Sequence, residues 1–284
     1  MLIPGLVLLI IFHYIPMYGV IIAFQNYNPG LGFTRSPWVG LKNFNFLFNL
    51  PTFELLIRNT LVLAVSKLVT LQICAVGLAL LLNEVRSALF KRGIQIVLYL
   101  PYFLSWVVLG GILLDILSSN GLVGQALRSL DIQSFVFLGR ANVFPFTIVV
   151  TNLWKEVGFA VIIYLAALTG IDPALTEAAA VDGASRWQRA WHITLPGILP
   201  TIVLIACLNL GHVLDGGFDQ VINLYNPGVY QTGDILDTYV YRSGIISAKY
   251  SLAGAVGLFK ATIGLVMIII SYRLAAKFAG YRVF

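Results

Sequence analysis

Three lysines set the first chemical problem. Lys67, Lys155 and Lys260 each fall near the middle of a long apolar run, where Glu156 is the one acid at similar depth and Asp115 and Asp215 lie nearer the ends. Asn152, Asn209 and His212 add uncharged polarity to the same runs. A lone ammonium at such a place costs at least ~2.5 kcal/mol, so each must face protein, water or a partner. On one reading the lysines snorkel or pair between helices. On the other, some of them face a water-filled path lined by Asn152, Lys155, Glu156, Asn209, His212, Asp215 and Lys260. Three cations against one Glu156 would make that path electropositive and suited to carboxylated cargo. Lys155 is its first candidate, because Asn152 puts a polar group on a neighbouring face of the same helix.

Covalent chemistry has little to work with. The dipeptide Gly-Lys never occurs, so no phosphate-binding loop exists in the chain. There is no His-Glu-x-x-His and no Gly-x-Ser-x-Gly, and His13, His192 and His212 are far apart in sequence. Cys74 and Cys207 sit inside apolar runs and read as small core residues, not as a disulfide or metal pair. The expectation is a non-catalytic chain with no metal site and no cofactor of its own.

The elements that must position these residues are membrane spans. Only 11% of the 284 residues are charged, 59% are apolar, and the mean hydropathy is +0.89. A soluble domain carries roughly 25% charge. The net charge of +6 is scattered, so it reads as membrane-flanking charge and excludes a nucleic-acid partner. Six runs reach the ~20 residues that a spanning helix needs: about 2–24, 57–83, 94–117, 145–169, 197–215 and 251–275. Within lipid the backbone must satisfy itself, so each is expected to be a helix, giving one all-α integral membrane domain over 1–284. The first run lacks a basic leader and a small-residue cleavage site and reads as a retained span. The segment between the first two spans has turn signals at Asn28-Pro29-Gly30 and Ser36-Pro37, then a short interfacial helix around Phe44 to Phe48 with Trp38 as anchor. A short basic loop (Arg86, Lys91, Arg92) and the tail (Arg273, Lys277, Arg282) mark the cytoplasmic side. Both termini then face the cytoplasm, and about 216–250 forms the last outer loop.

One stretch, 170–196, stands between the fourth and fifth runs and organises the chain. Asp172 is placed to cap a helix that begins at Pro173, and Leu175 to Val181 continue it. Gly183 can take the positive φ that ends this helix. Ser185 and Gln188 have capping-box spacing for a second short helix, which Pro196 is expected to close. The product is a rigid pair of stubby helices on the cytoplasmic side.

Glu177-Ala178-Ala179, Asp182-Gly183-Ala184, Ile193 and Leu195-Pro196 resemble the EAA signature of ABC-importer permeases. The segments YIPMYGVIIAFQNYNPG, LLLNEVR, YLPYFLSWVV, IYLAALTGIDP and YNPGVYQTGDILDTYVYR resemble the oligosaccharide and polysaccharide branch of the maltose-type permeases. The resemblance implies six spans with a coupling-helix loop between spans four and five, in a bacterial inner membrane. It implies a second homologous permease, two ATPase subunits that bind ATP and Mg, and an extracytoplasmic solute-binding protein. ATP-driven alternating access would carry oligo- or polysaccharides, and the lysines lean toward acidic ones such as alginate or pectin fragments. Glu177 would make a polar contact with the ATPase, Ala178 and Ala179 would pack against it, Gly183 would supply the bend, and Leu195-Pro196 the link to the fifth span. The alternatives are another solute on the same architecture, or a membrane scaffold or sensor partner that transports nothing.

Overall fold

The computed structural model describes residues 2–130, 136–211 and 213–278. Among them five helices are long and apolar enough to cross a membrane: Ile3–Phe24, Phe53–Glu84, Phe144–Leu168, Arg186–Leu210 and Tyr250–Arg273. A bent pair, Ala88–Phe103 and Trp106–Ile116, brings the number to six if it counts as one span. They are called here the first, second, fourth, fifth, sixth and third spans. His212, Arg282 and the side chain of Lys277 lie outside the described residues.

The second and fourth spans form the central pair. Ala75, Ala79 and Leu82 of the second meet Val157, Val161, Tyr164 and Leu168 of the fourth, and Ile198 of the fifth closes the cluster. Small side chains on one helix let the other come near, which is how helices associate where no water drives them together. The first span packs on the sixth span through its Tyr18–Phe24 end, and its preceding apolar side chains are exposed. The helix Lys42–Phe48 forms where the interfacial helix was expected, and Trp38 stacks on Phe24 with ring centres 5.7 Å apart.

Two spans depart from the sequence reading. The run 94–117 is not one helix, because the chain turns by 104° between Phe103 and Trp106. Pro101 removes a donor and loosens the ladder, Leu104 is extended (ψ 137°), and Ser105 caps a new helix by accepting from the Val108 N–H at 3.3 Å. The fifth span starts earlier than 197, at Arg186, and ends at Leu210 instead of 215. Pro196 does not close a short helix. A wide π turn over Ala190–Thr194 precedes it, with the Leu195 N–H reaching back five residues to the Ala190 carbonyl, so Pro196 sits at the start of the next ladder, where no donor is needed.

The expected outer loop 216–250 is instead part of the core. It folds into Phe218–Leu224 and Leu236–Val240, and Val221, Leu224, Val229 and Ile235 pack with Leu63, Leu113, Phe144 and Ile148. Asn59 of the second span donates to the carbonyls of Gln231 and Asp234 at 3.2 and 3.1 Å. Arg242 then grips Asp234 in a two-pronged pair at 2.9 and 2.7 Å, with its guanidinium 4.6 Å over the Tyr230 ring. The bond from Asp234 holds Arg242 above its ordinary pKa.

Gly158 allows the closest approach in this arrangement. A Cβ there would lie 2.0 Å from the Leu98 carbonyl oxygen, a backbone atom that cannot swing away. Gly158→Ala is expected to destabilise the bundle by at least about 1–3 kcal/mol, read as a lowered thermal midpoint of the purified protein. An unchanged midpoint would show that the third and fourth spans are not held at this distance.

Candidate functional site: a docking cleft and a polar path

The stretch 172–189 folds as its punctuation dictates. Asp172 Oδ1 accepts from the Ala174 N–H at 2.9 Å and opens the helix Pro173–Val181. At its end the Ala184 N–H donates to the Ala179 carbonyl (2.9 Å) and the Gly183 N–H to the Ala180 carbonyl (3.2 Å), with Gly183 at φ +83°. This double bond pattern needs a left-handed residue, which glycine adopts without a Cβ penalty. The next helix begins with a complete capping box: the Ser185 N–H donates to Gln188 Oε1 at 2.8 Å and the Gln188 N–H to Ser185 Oγ at 3.3 Å. From there the fifth span runs on without a loop.

Between the two helices an open cleft of about 350 Å³ forms. Of the nominated coupling residues, Ala179, Asp182, Gly183, Ala184 and Ile193 line it. Glu177 and Ala178 lie outside the cleft and are exposed, Pro196 is exposed, and Leu195 turns away into a separate apolar groove. Sequence reasoning passed over Val181, which is 89% exposed, and Leu175, at 55%. Large apolar side chains left bare beside a polar cleft mark a surface made to be covered. Their place on a short helix that ends at Gly183 was the available signal.

The path residues separate into two groups. In the first, Lys155 is buried and donates to the Tyr102 carbonyl at 3.1 Å and to Glu156 Oε1 at 3.3 Å. Its ammonium also lies 5.0 Å from the centre of the Tyr102 ring and 5.5 Å from that of Trp106. Tyr102 stacks flat on Phe159 at 4.4 Å. The broken third span thus presents aromatic faces beside an ion pair, and Asn152 is half-buried one turn away. Glu156 and Asn209 share a cavity of about 250 Å³ with Gln72 and Tyr164. In the second group Lys260 of the sixth span pairs with Asp215 at 3.0 Å and with Asp237 in a still shorter contact. Lys67 stands apart from both: it is buried and donates to the Gly216 carbonyl at 2.8 Å.

Among the described residues each of the three lysines therefore has a polar partner, acids for Lys155 and Lys260 and, for Lys67, a carbonyl. Counting acids within the spans missed Asp237, which arrives from the segment after the fifth span, and missed the carbonyls of Tyr102 and Gly216, which carry no signature in a sequence. Lys155 keeps its place beside the aromatic faces, with two of its three donors used on Tyr102 and Glu156.

Comparison with known proteins fits this geometry. The family described as "Binding-protein-dependent transport system inner membrane component" matches residues 73–280. The chain is 43% identical over 279 residues to the polygalacturonan/rhamnogalacturonan transport system permease protein YteP of Bacillus subtilis (strain 168), covering 98% of this chain and 87% of that one. It is 44% identical to protein LplB of the same organism, again over 279 residues, with 98% and 88% covered. Among solved structures, a chain of a bacterial ABC transporter involved in the import of the acidic polysaccharide alginate superposes with a TM-score of 0.91 at 38% identity, covering 98% of this chain and 94% of that chain.

Proposed function

Since the chain belongs to the family of binding-protein-dependent transport system inner membrane components, and within it to the sugar ABC-importer permeases, we propose that it translocates an acidic oligosaccharide past its broken third span. The break carries this reading. Tyr102 and Trp106 face the Lys155 ammonium, and the exposed Phe103 and Phe159 pack on Tyr102 where the helix comes undone. Flat rings take up the apolar faces of sugars, and the paired ammonium and carboxylate address their hydroxyls and carboxylates. Names of relatives support the cargo class: YteP is named for polygalacturonan and rhamnogalacturonan, and the superposed transporter for alginate.

The remaining parts of the reading concern assembly. A second permease would complete the path. Two ATPase subunits, binding ATP and Mg themselves, would dock against the cleft between Ala179 and Ile193, with Val181 and Leu175 as apolar anchors and Glu177 as a polar contact. A periplasmic binding protein would deliver the sugar; a bacterial alginate ABC transporter solved in complex with alginate pentasaccharide-bound periplasmic protein has a chain that superposes at a TM-score of 0.90 and 38% identity. Both termini and the docking cleft would face the cytoplasm.

Each part has its own test. For orientation, a cysteine at the exposed Gln231 is expected to react with an impermeant thiol reagent from outside, and one at the exposed Ser185 is not; reversed labelling refutes the assignment. For coupling, Gly183→Val puts a branched Cβ at φ +83° and costs roughly 1–2 kcal/mol. The variant is expected to insert and to assemble, while ATP hydrolysis and uptake come apart; uptake at the wild-type level would sink the idea. For cargo, Lys155→Met keeps the stem and removes the charge. Uptake of an acidic oligosaccharide is expected to fall well below that of a neutral one of equal length. Equal losses would make Lys155 a purely structural group.

A further inference from the structure

An apolar groove of about 590 Å³ lies between the second and fifth spans, separate from the cleft at Ala179–Ile193 and meeting the Glu156–Asn209 cavity at its Gln72 end. Ile73, Gly77 and Leu81 form one wall, and Trp187, Trp191 and Leu195 the other. Ile73, Leu81, Trp187 and Trp191 are exposed, and a Cβ on Gly77 would meet nothing within 4 Å. The groove has therefore been left unfilled by this chain's own side chains. From Gln72 to Glu84 it follows the helix for about 18 Å at 1.5 Å per residue. One hydrocarbon leaflet is about 15 Å deep, half of a ~30 Å core, so the groove has the length of one acyl chain.

Its charges stand only at one mouth. Glu84 ends the second span and Arg186 begins the fifth, and both line the cavity. Neither forms an ion pair or side-chain hydrogen bond among the described residues. Trp187 and Trp191 stack beside them with ring centres 6.2 Å apart, and indoles settle where hydrocarbon gives way to head groups. An unpaired cation and an unpaired anion at the end of a carbon-lined groove match a head group that carries both signs.

We propose that this groove seats one ethanolamine glycerophospholipid, with an acyl chain along Ile73, Gly77 and Leu81, its phosphate on Arg186 and its ammonium on Glu84. A guanidinium binds a phosphate in a two-pronged fashion, and a primary ammonium donates to a carboxylate. A choline head has no N–H to offer Glu84, and a glycerol head has no cation. The lipid would wedge the second span from the helix that leaves the docking bend, so its presence sets how far those two can close. The proposal rests on the membrane placement of the chain, and its inner-leaflet position on the orientation proposed above; it does not depend on the cargo.

The test is native mass spectrometry of the assembled importer, extracted from its membrane and washed in detergent. One ethanolamine phospholipid per copy of this chain is the expected result. Gly77→Trp and Ile73→Trp both fill the groove from the second span, and both are expected to lose it. Variants that still purify with their partner subunits are the ones scored, and the exposed position of Ile73 makes it the safer of the two. Arg186→Gln and Glu84→Gln are expected to keep a lipid but to lose the preference for the ethanolamine class. The proposal is overturned if both filling variants retain the lipid, or if the wild type retains classes in proportion to the bulk membrane. It also fails if a cysteine at Gly77 cross-links to a partner permease, which would put a protein helix in the groove.

Discussion

A backbone that leaves its helix inside a membrane must find donors, and this requirement governs the molecule. The chain comes undone twice at depth, at Leu104 in the third span and after Leu210 in the fifth. At both places a lysine from another span supplies the missing donor: Lys155 to the Tyr102 carbonyl and Lys67 to the Gly216 carbonyl. Irregular backbone is tolerated in lipid only where protein or a cavity satisfies it. Each bond in turn offsets part of the cost of burying that ammonium. Polar side chains repeat the device more mildly, with Gln72 donating to Ile202, Gln220 to Ile148, and Asn59 to two carbonyls of the 231–234 turn.

The same constraint joins the cleft at Ala179–Ile193 to the polar groups at the far end of the fifth span. Because the fifth span is continuous from Arg186 to Leu210, displacement at the cleft acts on a rod of about 37 Å at 1.5 Å per residue. Its soft point is the wide turn Ala190–Thr194, since a π turn adds a residue to the ladder without breaking it. Its far end meets the segment that Lys67 holds through Gly216 and that Asp215 ties to Lys260. The nominated residues at the two ends are thus mechanically adjacent although they are far apart in space.

What the sequence disclosed and what it hid divide along the range of the interactions. Asp172, Gly183 and the Ser185–Gln188 box are readable because a cap is satisfied within a few residues of itself. The six apolar runs are readable because hydrocarbon acts on composition. The break of the third span had two local signs, Pro101 and Ser105, but an unbroken apolar run around them outweighed both. The burial of 216–250 was hidden because its Asn, Gly and Tyr content reads as loop, while its fit against Leu63, Phe144 and Ile148 is a long-range matter. The partner of Lys67 is 149 residues away and is a carbonyl, which every residue type carries alike. No residue pattern could have announced it. The path candidates consequently split into two groups that sequence depth alone had merged.

The bend in the third span also bears on how the protein is made. Ala88–Phe103 and Trp106–Ile116 are each shorter than the ~20 residues that cross a bilayer, and they meet at 104°. Neither half has a stable transmembrane seat by itself, and the loosened carbonyl at Tyr102 has no donor in its own segment. That donor, and the glycine that admits the Leu98 backbone, arrive only with the fourth span. The third segment is therefore completed only by Lys155 and Gly158, which come later in the chain.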